Sequence, residues 1–554
     1  MENGNLLTVT FIDGNIKNIA AGITLLELSH EFQKYHASRI IAAKVDNDIK
    51  ELTYQLNRNC RVEFIDLTTD DGMRIYRRTL SFILVKAVND IFPDRKVIIN
   101  HSISKGLYFE IKGDNELTAY DVERVRKRMK EIVEARIPFV KQTIPIEEAR
   151  EMFRKTGRID KLCLIESRQK PYVTIYSCDG YEGYFYGYMA PDTGYTDLFD
   201  LEHYPPGVIL LFPHKGKPGV LPEFKEQKKL FNIFSENRKW GQILEVESVS
   251  ALNNIIKEGK IHDLIRVSEA LHEKKIAQIA DMITSGEHRK KVVLIAGPSS
   301  SGKTTFSNRL AIQLRVNGVK PIIIALDDYF IDRDKTPRDE NGEQDFEALE
   351  VIDIELFNEH LIKMLNGIEI EVPIYNFILG RREPAGRVIK PSEDHVLVIE
   401  GIHALNEKLT ASISRDNKFK VYISAITSMN IDDHNRIPTT DTRLLRRIVR
   451  DHKFRGSRAI DTIKRWDSVR RGEEKNIFPF QEEADIMLNT SLRYEHGVMK
   501  IFAEPLLIQI DRTNPEYSEA KRLLEFLSYF LPIADIQEIP GNSILREFIG
   551  GCCF

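Results

Sequence analysis

Cysteine is scarce in this chain. The five cysteines among 554 residues stand at positions 60, 163, 178, 552 and 553. They form no C-x-x-C pair and no regular spacing, so the sequence predicts neither a disulfide framework nor a cysteine-based metal site. The adjacent pair Cys552-Cys553 lacks a prenylation signature, and we expect it to be a reduced, free tail.

Long apolar runs and an excess of one charge are also missing. No run approaches the about 20 apolar residues that span a bilayer. The start, Met1-Glu2-Asn3-Gly4-Asn5, has no basic region and no apolar core of a signal peptide. A formal charge of −4 argues against an overall attraction to nucleic acid, although a local basic patch stays open. We therefore expect a cytoplasmic enzyme with no membrane partner.

A glycine-rich loop dominates the second half of the chain. An apolar stretch at 292–296 runs into Gly297-Pro298-Ser299-Ser300-Ser301-Gly302-Lys303-Thr304-Thr305 and then into an amphipathic helix. The glycines let backbone N–H groups point inward, and the helix N-terminus adds a positive field. Lysine at this position reaches terminal phosphates, and the threonine hydroxyl ligates Mg²⁺. Glycine-serine loops also join strands to helices elsewhere, but the complete pattern predicts a nucleoside triphosphate site.

Carboxylates follow two further apolar strands. Asp327 and Asp328 end the stretch from 321, and Glu400 ends the stretch from 395. In a parallel sheet, ligands lie beyond the carboxyl ends of the strands. One aspartate can equally be a turn residue, and we assign the role of general base to Asp327. Glu400 is predicted to act on Mg²⁺, directly or through water.

Arginines recur at helical spacing in the segment that follows. Arg443, Arg446, Arg447 and Arg450 share one helix face, and Arg455 comes shortly after. A solvated basic face is the usual alternative. Beside a triphosphate, such arginines neutralise charge on the transferring phosphoryl group, an effect worth about 10³–10⁵ in rate elsewhere.

Six motifs occur in a fixed order between about 290 and 495: GPSSSGKTT, LDDYF, DFEALEVID, VPIYNF, VLVIEG and TRLLRRIVRD. In these the chain resembles the uridine kinase and phosphoribulokinase family. The resemblance implies ATP as phosphoryl donor, Mg²⁺ as cofactor and a nucleoside 5′-hydroxyl as acceptor. It implies ATP contacts from residues 297–305, Arg450 and Arg455, metal contacts from Thr304 and Glu400, and catalytic roles for Lys303, Asp327, Arg447 and Arg450. The acceptor would be bound by Asp327, Tyr329, Glu347, Tyr375, Arg382 and Arg447.

Two departures from that family concern the acceptor. The position of the uracil-reading histidine holds Gly380, followed by Arg381 and Arg382, and the segment 427–440 is longer than in simple uridine kinases. The two arginines favour a phosphorylated or acidic acceptor, or they are surface charges after a strand. The family reaction is therefore predicted without pyrimidine specificity.

The N-terminal half has a different pattern. A strand at 6–12, a helix capped by Thr24 and Glu27, and strands at 40–45 and 61–67 predict a β-grasp sheet over one helix. A helix ending at Phe92-Pro93, the GLYFEI strand at 106–111, a charged helix at 121–135 and Glu147-Glu148-Ala149-Arg150 follow. Residues 6 to about 215 resemble the N-terminal half of threonyl-tRNA synthetases, a TGS domain followed by an editing domain.

The editing chemistry of that family is predicted to be lost. Its H-x-x-x-H pair falls at Arg78 and Phe82, and Cys178 is followed by no histidine before His203. A scaffold with another ligand or a regulatory role is the expectation. The run at 171–215, rich in tyrosine and glycine, is interpreted as curved strands rather than as a base-stacking platform.

The fold class expected for the whole chain is multidomain, α+β and α/β, with a parallel sheet in the C-terminal P-loop domain. The expected domains are a β-grasp domain at 1–68, an editing-like domain at 69–224, a helical linker at 225–288, a P-loop domain at 289–497 and a structural appendage at 498–554 that contains a helix at 520–531. In the linker, one helix face is predicted to carry Leu264, Val267, Ala270 and Leu271. The leading hypothesis is an ATP-dependent nucleoside kinase that forms a homo-oligomer. The alternatives are a kinase for another sugar or phosphorylated acceptor, and an RNA-associated regulator whose N-terminal half binds tRNA or a small regulatory ligand while the P-loop half acts as an ATP switch.

Overall fold

The computed structural model describes residues 6–168, 170–285, 290–339, 342–392 and 394–554. None of the helices within those ranges is both long enough and apolar enough to cross a membrane.

The chain begins with a five-stranded mixed sheet packed on one helix. Its strand order is β2-β1-β5-β3-β4, with β1 and β5 parallel and the other neighbours antiparallel. Thr24 and Glu27 form the predicted capping box at the start of the helix. Two strands, β2 and β4, were not predicted. The elements are β1 Leu6–Phe11, β2 Ile16–Ala20, α1 Leu25–Phe32, β3 Ile40–Val45, β4 Asp48–Glu51 and β5 Cys60–Asp66.

The second part combines two antiparallel sheets with four helices. One sheet has the order β11-β12-β7-β6 and the other β10-β9-β8. The elements are α2 Asp70–Ile91, β6 Lys96–Ile103, β7 Gly106–Lys112, α3 Ala119–Glu134, β8 Val140–Pro145, α4 Ile146–Lys155, α5 Ile159–Glu166, β9 Tyr172–Cys178, β10 Tyr181–Gly183, β11 Asp200–Tyr204 and β12 Gly207–Leu211.

The tyrosines of this part are structural. Tyr181 and Tyr184 are buried, and the Tyr184 hydroxyl is hydrogen-bonded to that of Tyr529. The Tyr186 hydroxyl donates to the Arg522 carbonyl at 2.6 Å. Because these tyrosines are buried or hydrogen-bonded within the protein, their rings are not available to stack on a base.

Three helices lead to the C-terminal half: α6 Lys228–Ile243, α7 Val249–Lys257 and α8 Ile261–Thr284. The apolar face predicted for α8 is only partly buried, because Val267 is 45% exposed and Ala270 is also exposed. The buried face is instead formed by Ile261, Leu264, Ile265, Ser268, Glu269, His272, Ile276, Ile279, Ala280 and Ile283.

A parallel sheet of five strands, ordered β14-β19-β13-β20-β21, organises the third part. Its central strand carries Val292, Leu294 and Ala296 into one core, and Val293 and Ile295 into another. Burial on both faces explains its uninterrupted apolar sequence. The elements are β13 Val292–Ala296, α9 Lys303–Val316, β14 Lys320–Ala325, α10 Ile354–Leu365, β15 Ile370–Val372, β16 Tyr375–Asn376, β17 Arg381–Arg382, β18 Arg387–Ile389, β19 His395–Glu400, β20 Lys418–Ser424, α11 Thr439–Arg455, α12 Ala459–Asn476 and β21 Ile486–Asn489.

The chain ends in three helices, α13 Glu495–Leu507, α14 Tyr517–Leu527 and α15 Arg546–Ile549. One hydrophobic core contains residues of α4, α5 and β9 together with α7, α8, α11, α13 and α14. The N-terminal and C-terminal halves therefore share buried side chains.

Segment 427–440, the insertion noted in the sequence, forms much of the contact between the halves. The Asp433 carbonyl accepts from the N–H of Ile99, and the side chain of Asn430 donates to the Ile99 carbonyl, both at 2.8 Å. Lys161 and Asp432 form a fully buried ion pair at 2.5 Å. The insertion thus fixes the synthetase-like part against the P-loop part.

Candidate active site

The glycine-rich loop joins β13 to α9 at the carboxyl edge of the parallel sheet. Gly302 has φ +89°, and Ser300 has φ +59°, a conformation that non-glycine residues adopt at a cost and that recurs at functional sites. A Cβ on Gly297 would lie 2.2 Å from the Ile423 carbonyl oxygen. Glycine is therefore required at positions 297 and 302. The loop leads directly into the N-terminus of α9.

Lys303 and Thr304 open α9 and face different partners. The Lys303 ammonium donates to the carbonyls of Gly297 (3.0 Å) and Pro298 (3.3 Å). The Thr304 hydroxyl donates to Glu400 at 2.9 Å, across the β13–β19 pair. This contact brings together the two residues that the sequence assigned to a metal.

The chemistry of this pair fits Mg²⁺. Burial raises the pKa of Glu400 to about 7, and Asp327 and Glu547 act in the same direction. A hydroxyl and a single carboxylate are hard oxygen donors, and Mg²⁺ in phosphate sites is commonly held by one or two carboxylates plus substrate phosphates and water. A cation beside Glu400 would offset the cost of its burial. Among the described residues no group of three His, Cys, Asp or Glu side chains could hold a metal alone.

The two aspartates that follow β14 are not equivalent. Asp328 accepts a hydrogen bond from the Tyr375 N–H at 3.4 Å, and burial raises its pKa. The charge of Asp327 raises the pKa values of Glu400 and Glu347, so it lies within electrostatic reach of both. Asp328 therefore makes a hydrogen bond to β16, and Asp327 follows the carboxyl end of β14, next to the strand that ends in Glu400.

Glu347 is buried beside this cluster. Burial raises its pKa to about 7, while Arg447 and Lys303 oppose the shift. Its Oε2 has no hydrogen-bond partner in the described part of the chain. A Cβ on Gly472 of α12 would lie 2.2 Å from the Cβ of Glu347, so glycine there allows the close approach.

The arginine face of α11 has two parts. Arg443 pairs with Glu473, and Arg446 pairs with Glu495; all four side chains are buried. Arg443 also donates to the Ser299 carbonyl at 3.2 Å. These two arginines are buried and have a structural role beneath the glycine-rich loop. The helical spacing alone could not separate them from the arginines that face the phosphate site.

Arg447, Arg450 and Arg455 form the second part and surround Asp451. The Arg447 guanidinium donates to the Ser299 hydroxyl at 2.9 Å, and Arg450 donates to Asp451 at 2.8 Å. Although burial opposes the shift, these three arginines hold the pKa of Asp451 below its usual value. Arg447 is thus in direct contact with the glycine-rich loop, whereas Arg450 and Arg455 contact Asp451.

The remaining acceptor residues from the sequence are placed differently. Tyr375 is packed between Phe330 and Phe377, with ring centroids 5.6 and 5.2 Å away. Tyr329, predicted to bind the acceptor, is instead fully buried with its hydroxyl 3.1 Å from His360.

Arg382 also departs from its predicted role. It donates to the carbonyls of Phe330 (3.0 Å) and Tyr329 (2.8 Å) and pairs with Asp353 at 3.1 Å. These contacts use its guanidinium to hold the loop after β14.

Two glutamates missed by sequence reasoning touch the glycine-rich loop and α9. Glu473 accepts from the Ser299 N–H at 3.1 Å. Glu547, in the segment predicted to be a structural appendage, accepts from the Thr305 N–H (3.1 Å) and hydroxyl (2.8 Å). A carboxylate at a helix N-terminus occupies a position that suits a phosphate. Neither residue belongs to a recognisable motif, so no sequence signal could have identified it.

A parallel sheet whose central strand leads through a lysine-bearing glycine loop into a helix defines a P-loop phosphate-binding domain. Residues 292–493 match the family model described as Phosphoribulokinase / Uridine kinase family, and this part of the chain is a domain of that family. Among solved structures, one titled "Structure of a Possible Uridine Kinase from Bacillus stearothermophilus" is 19% identical, with a TM-score of 0.27, over 39% of this chain and 98% of that one. D-glycerate 3-kinase from Cryptococcus neoformans is 11% identical, with a TM-score of 0.24, over 47% and 87%.

The N-terminal region is similar to threonine–tRNA ligases. The enzyme of Desulforamulus reducens is 28% identical over 190 residues, which are 34% of this chain and 30% of that protein. The enzyme of Natranaerobius thermophilus is 34% identical over 152 residues, which are 27% and 24% of the two chains. The chain therefore spans less than a third of the length of these relatives.

Proposed function

We propose that the C-terminal part is an ATP-dependent kinase that phosphorylates an alcohol group of a small molecule, with the 5′-hydroxyl of a nucleoside as the leading acceptor. The observation that carries the proposal is the convergence of Lys303, Glu400 and Asp327 at one edge of the parallel sheet. A nucleotide switch needs the first two of these groups. A second carboxylate, free of the metal pair, is what a phosphoryl acceptor requires.

Each group has a role that follows from its position. The loop N–H groups and Lys303 bind the phosphates, and Arg447 offsets charge on the transferring group from the Ser299 side. Asp327 accepts the proton of the attacking hydroxyl. Thr304 and Glu400 would hold Mg²⁺, which supplies charge neutralisation between the phosphates. Holding donor and acceptor in line is the main source of rate in such reactions.

The acceptor pocket is proposed to lie between Glu347 and Tyr375. The unpaired Oε2 of Glu347 is suited to accept hydrogen bonds from sugar hydroxyls. Gly380, at the position where uridine kinases read the base, has φ +70°, and a Cβ there would lie 2.8 Å from the Arg333 Nε. Arg333 is adjacent to Gly380 and Arg381 follows it, and these two positive charges are why phosphorylated sugars are included as acceptors beside nucleosides.

The test is a phosphorylation screen with the full chain, Mg-ATP and a panel of nucleosides, sugars and sugar phosphates, followed by mass spectrometry. We expect one acceptor class to gain a single phosphoryl group in an ATP-dependent manner. A Glu347→Gln variant should raise the KM for that acceptor with a smaller effect on the KM for ATP. Absence of a phosphorylated product from every member of the panel would contradict the proposal.

A second candidate, an RNA-associated regulator, is favoured by one observation, the similarity of the N-terminal region to tRNA ligases. The full chain would then bind tRNA with an affinity that falls steeply with salt. No binding at low salt would exclude this function and leave the kinase proposal untouched.

A further inference from the structure

A cavity lies where the synthetase-like part meets the insertion 427–440, away from the glycine-rich loop. It has a volume of about 90 Å³. Five arginines line it from three separate segments: Arg74, Arg77 and Arg78 of α2, Arg436 of the insertion, and Arg522 of α14. Arg78 stands at a position where the threonyl-tRNA synthetase pattern has a histidine.

The carboxylates around this cavity do not balance its positive charge. Arg522 pairs with Asp441 at 2.6 Å and with Glu519 at 2.7 Å. Arg74 pairs with the same Glu519 (2.8 Å) and with Asp71 (2.9 Å). Two of the five arginines therefore take up all three of these carboxylates, and five positive charges face three negative ones.

Among the residues that the structure describes, no carboxylate pairs with the three other arginines. Arg78 donates to the Tyr188 carbonyl at 2.7 Å. Across the described ranges of the chain, the side chains of Arg77 and Arg436 make neither a hydrogen bond nor an ion pair. Both are only partly exposed. Partly buried arginines without a counter-charge are costly, and they recur where an anion is bound.

The electrostatics of these groups agree with that interpretation. Burial, together with the charges of Arg436, Arg78 and Arg74, lowers the pKa of Arg77 to about 9. Burial also lowers the pKa of Arg436 to about 10, with Asp441 acting in the opposite direction. An anion in the cavity would reverse the mutual repulsion of the arginines.

We propose that this arginine pocket binds the phosphate group or groups of a small molecule, at a site separate from the glycine-rich loop. Guanidinium groups bind phosphate oxygens with paired N–H donors, and converging forks suit a tetrahedral anion. One water needs about 10–15 Å³ on this measure of volume, so a cavity of about 90 Å³ has room for a phosphate group. An RNA backbone would need a continuous basic track, whereas these arginines converge on one small cavity.

The test uses pyrophosphate and a full-length Lys303→Ala variant, in which binding at the glycine-rich loop is weakened. Calorimetric titration measures pyrophosphate binding to this variant and to the same chain with Arg77→Gln and Arg436→Gln added. The matched control adds Arg61→Gln and Arg154→Gln instead, because both residues are exposed and neither lines the pocket. Malonate, a dicarboxylate, serves as the comparison anion.

We expect one pyrophosphate per chain to bind the Lys303→Ala protein and its control. Binding should weaken by at least about tenfold when both pocket arginines are replaced, because each loses charge-assisted hydrogen bonds to the anion. Pyrophosphate should also raise the melting temperature of the control but not that of the pocket variant. Unaltered binding in the pocket variant, or no binding to Lys303→Ala, would overturn the site. Equal affinity for malonate would overturn phosphate as the ligand group.

Discussion

Two buried carboxyls, Glu400 and Glu347, dominate the site at the scale of single residues. Burial raises the pKa of each to about 7. Each is therefore largely protonated below pH 7 in the folded chain, whereas the ordinary glutamate pKa is 4.5. Ligands that bind the ionised form, such as a cation at Glu400, will bind more tightly as pH rises through 7.

The same shift makes Glu400 a stability liability at alkaline pH. Because its pKa is raised on folding, the unfolded chain loses its proton first, and stability falls as pH rises from about 4.5 to 7. Glu400→Gln should therefore raise the free energy of unfolding at pH 8 by on the order of 1–3 kcal/mol. At pH 4.5 or below it should have little effect. Denaturant unfolding at both pH values measures the difference.

The exposed Glu369→Gln is the matched control for this prediction, and it should leave stability unchanged at both pH values. Equal stability of Glu400→Gln and the unaltered chain at pH 8 would show that Glu400 is not buried as described.

The sequence could predict residues that end strands but not those that arrive from elsewhere. Asp327 and Glu400 follow apolar strands of a parallel sheet, so local pattern places them at the same edge. Tyr329 follows β14, as Asp327 does, yet it packs into the core, where its hydroxyl is hydrogen-bonded to His360. Glu473 contacts the loop from 174 positions away in the sequence, and Glu547 contacts α9 from 242 positions away. Only the tertiary fold shows that they belong there.

At the scale of elements, the N-terminus of α9 is the most informative feature. Glu547 of α15 caps it, and a Cβ on Gly302 would lie 2.5 Å from Ile544 of the same C-terminal segment. That segment is firmly held, since Ile544, Leu545 and Phe548 are fully buried. The carboxylate and a nucleotide phosphate would use the same N–H groups and helix field.

Glu547→Gln is therefore expected to tighten ATP binding while weakening the cap. Removing an anion from a helix N-terminus changes the interaction there by about 1–2 kcal/mol, which corresponds to roughly 5- to 30-fold in the Kd for ATP. Calorimetric titration with Mg-ATP measures the Kd. Asp535→Asn, an exposed carboxylate in the same C-terminal segment, should leave it unchanged. Weaker ATP binding in Glu547→Gln would mean that the carboxylate assists the nucleotide.

Helix α8 shows where element-scale prediction stops. Its buried face includes Glu269, which accepts hydrogen bonds from Tyr494 and Ser543, both at 2.6 Å. A hydrophobic pattern counts only apolar residues, so it does not predict that a hydrogen-bonded glutamate is buried. A buried face through Val267 and Ala270 therefore agrees with the hydrophobic pattern of the sequence as well as the observed buried face does. The strands of the parallel sheet had no such ambiguity, because both faces are apolar.

At the scale of the whole molecule, the two halves pack against each other through a shared hydrophobic core, rather than being connected only by a linker. One core runs from α4 and α5 through α8 and α11 to α14. The joint is the insertion 427–440, and its one fully buried ion pair is Lys161–Asp432, within the part of the chain that the structure describes. The sequence showed that the insertion is long, but its partner could not be predicted without the fold.

Lys161→Met should destabilise this joint strongly, because it leaves Asp432 buried without its cation. Breaking a buried pair costs about 3–5 kcal/mol, and replacing both partners with apolar residues is far less costly. The first thermal transition should fall by several degrees in Lys161→Met and recover in part in Lys161→Met with Asp432→Asn, because asparagine removes the charge and keeps an oxygen that accepts from the N–H groups of His434 and Asn435. The exposed Lys155→Met is the control. No loss in the single variant would contradict the role of the pair.

In the proposed kinase, Asp327 receives the acceptor proton, and Asp328 holds the turn after β14. The most direct test compares single-turnover phosphoryl transfer by the full chain, Asp327→Asn and Asp328→Asn, using the acceptor found in the screen and saturating Mg-ATP. We expect the transfer rate to fall by at least about 10²-fold in Asp327→Asn, the usual contribution of a general base, with ATP binding retained and a smaller loss of rate in Asp328→Asn. Transfer by Asp327→Asn at the rate of the unaltered chain would contradict this role of Asp327.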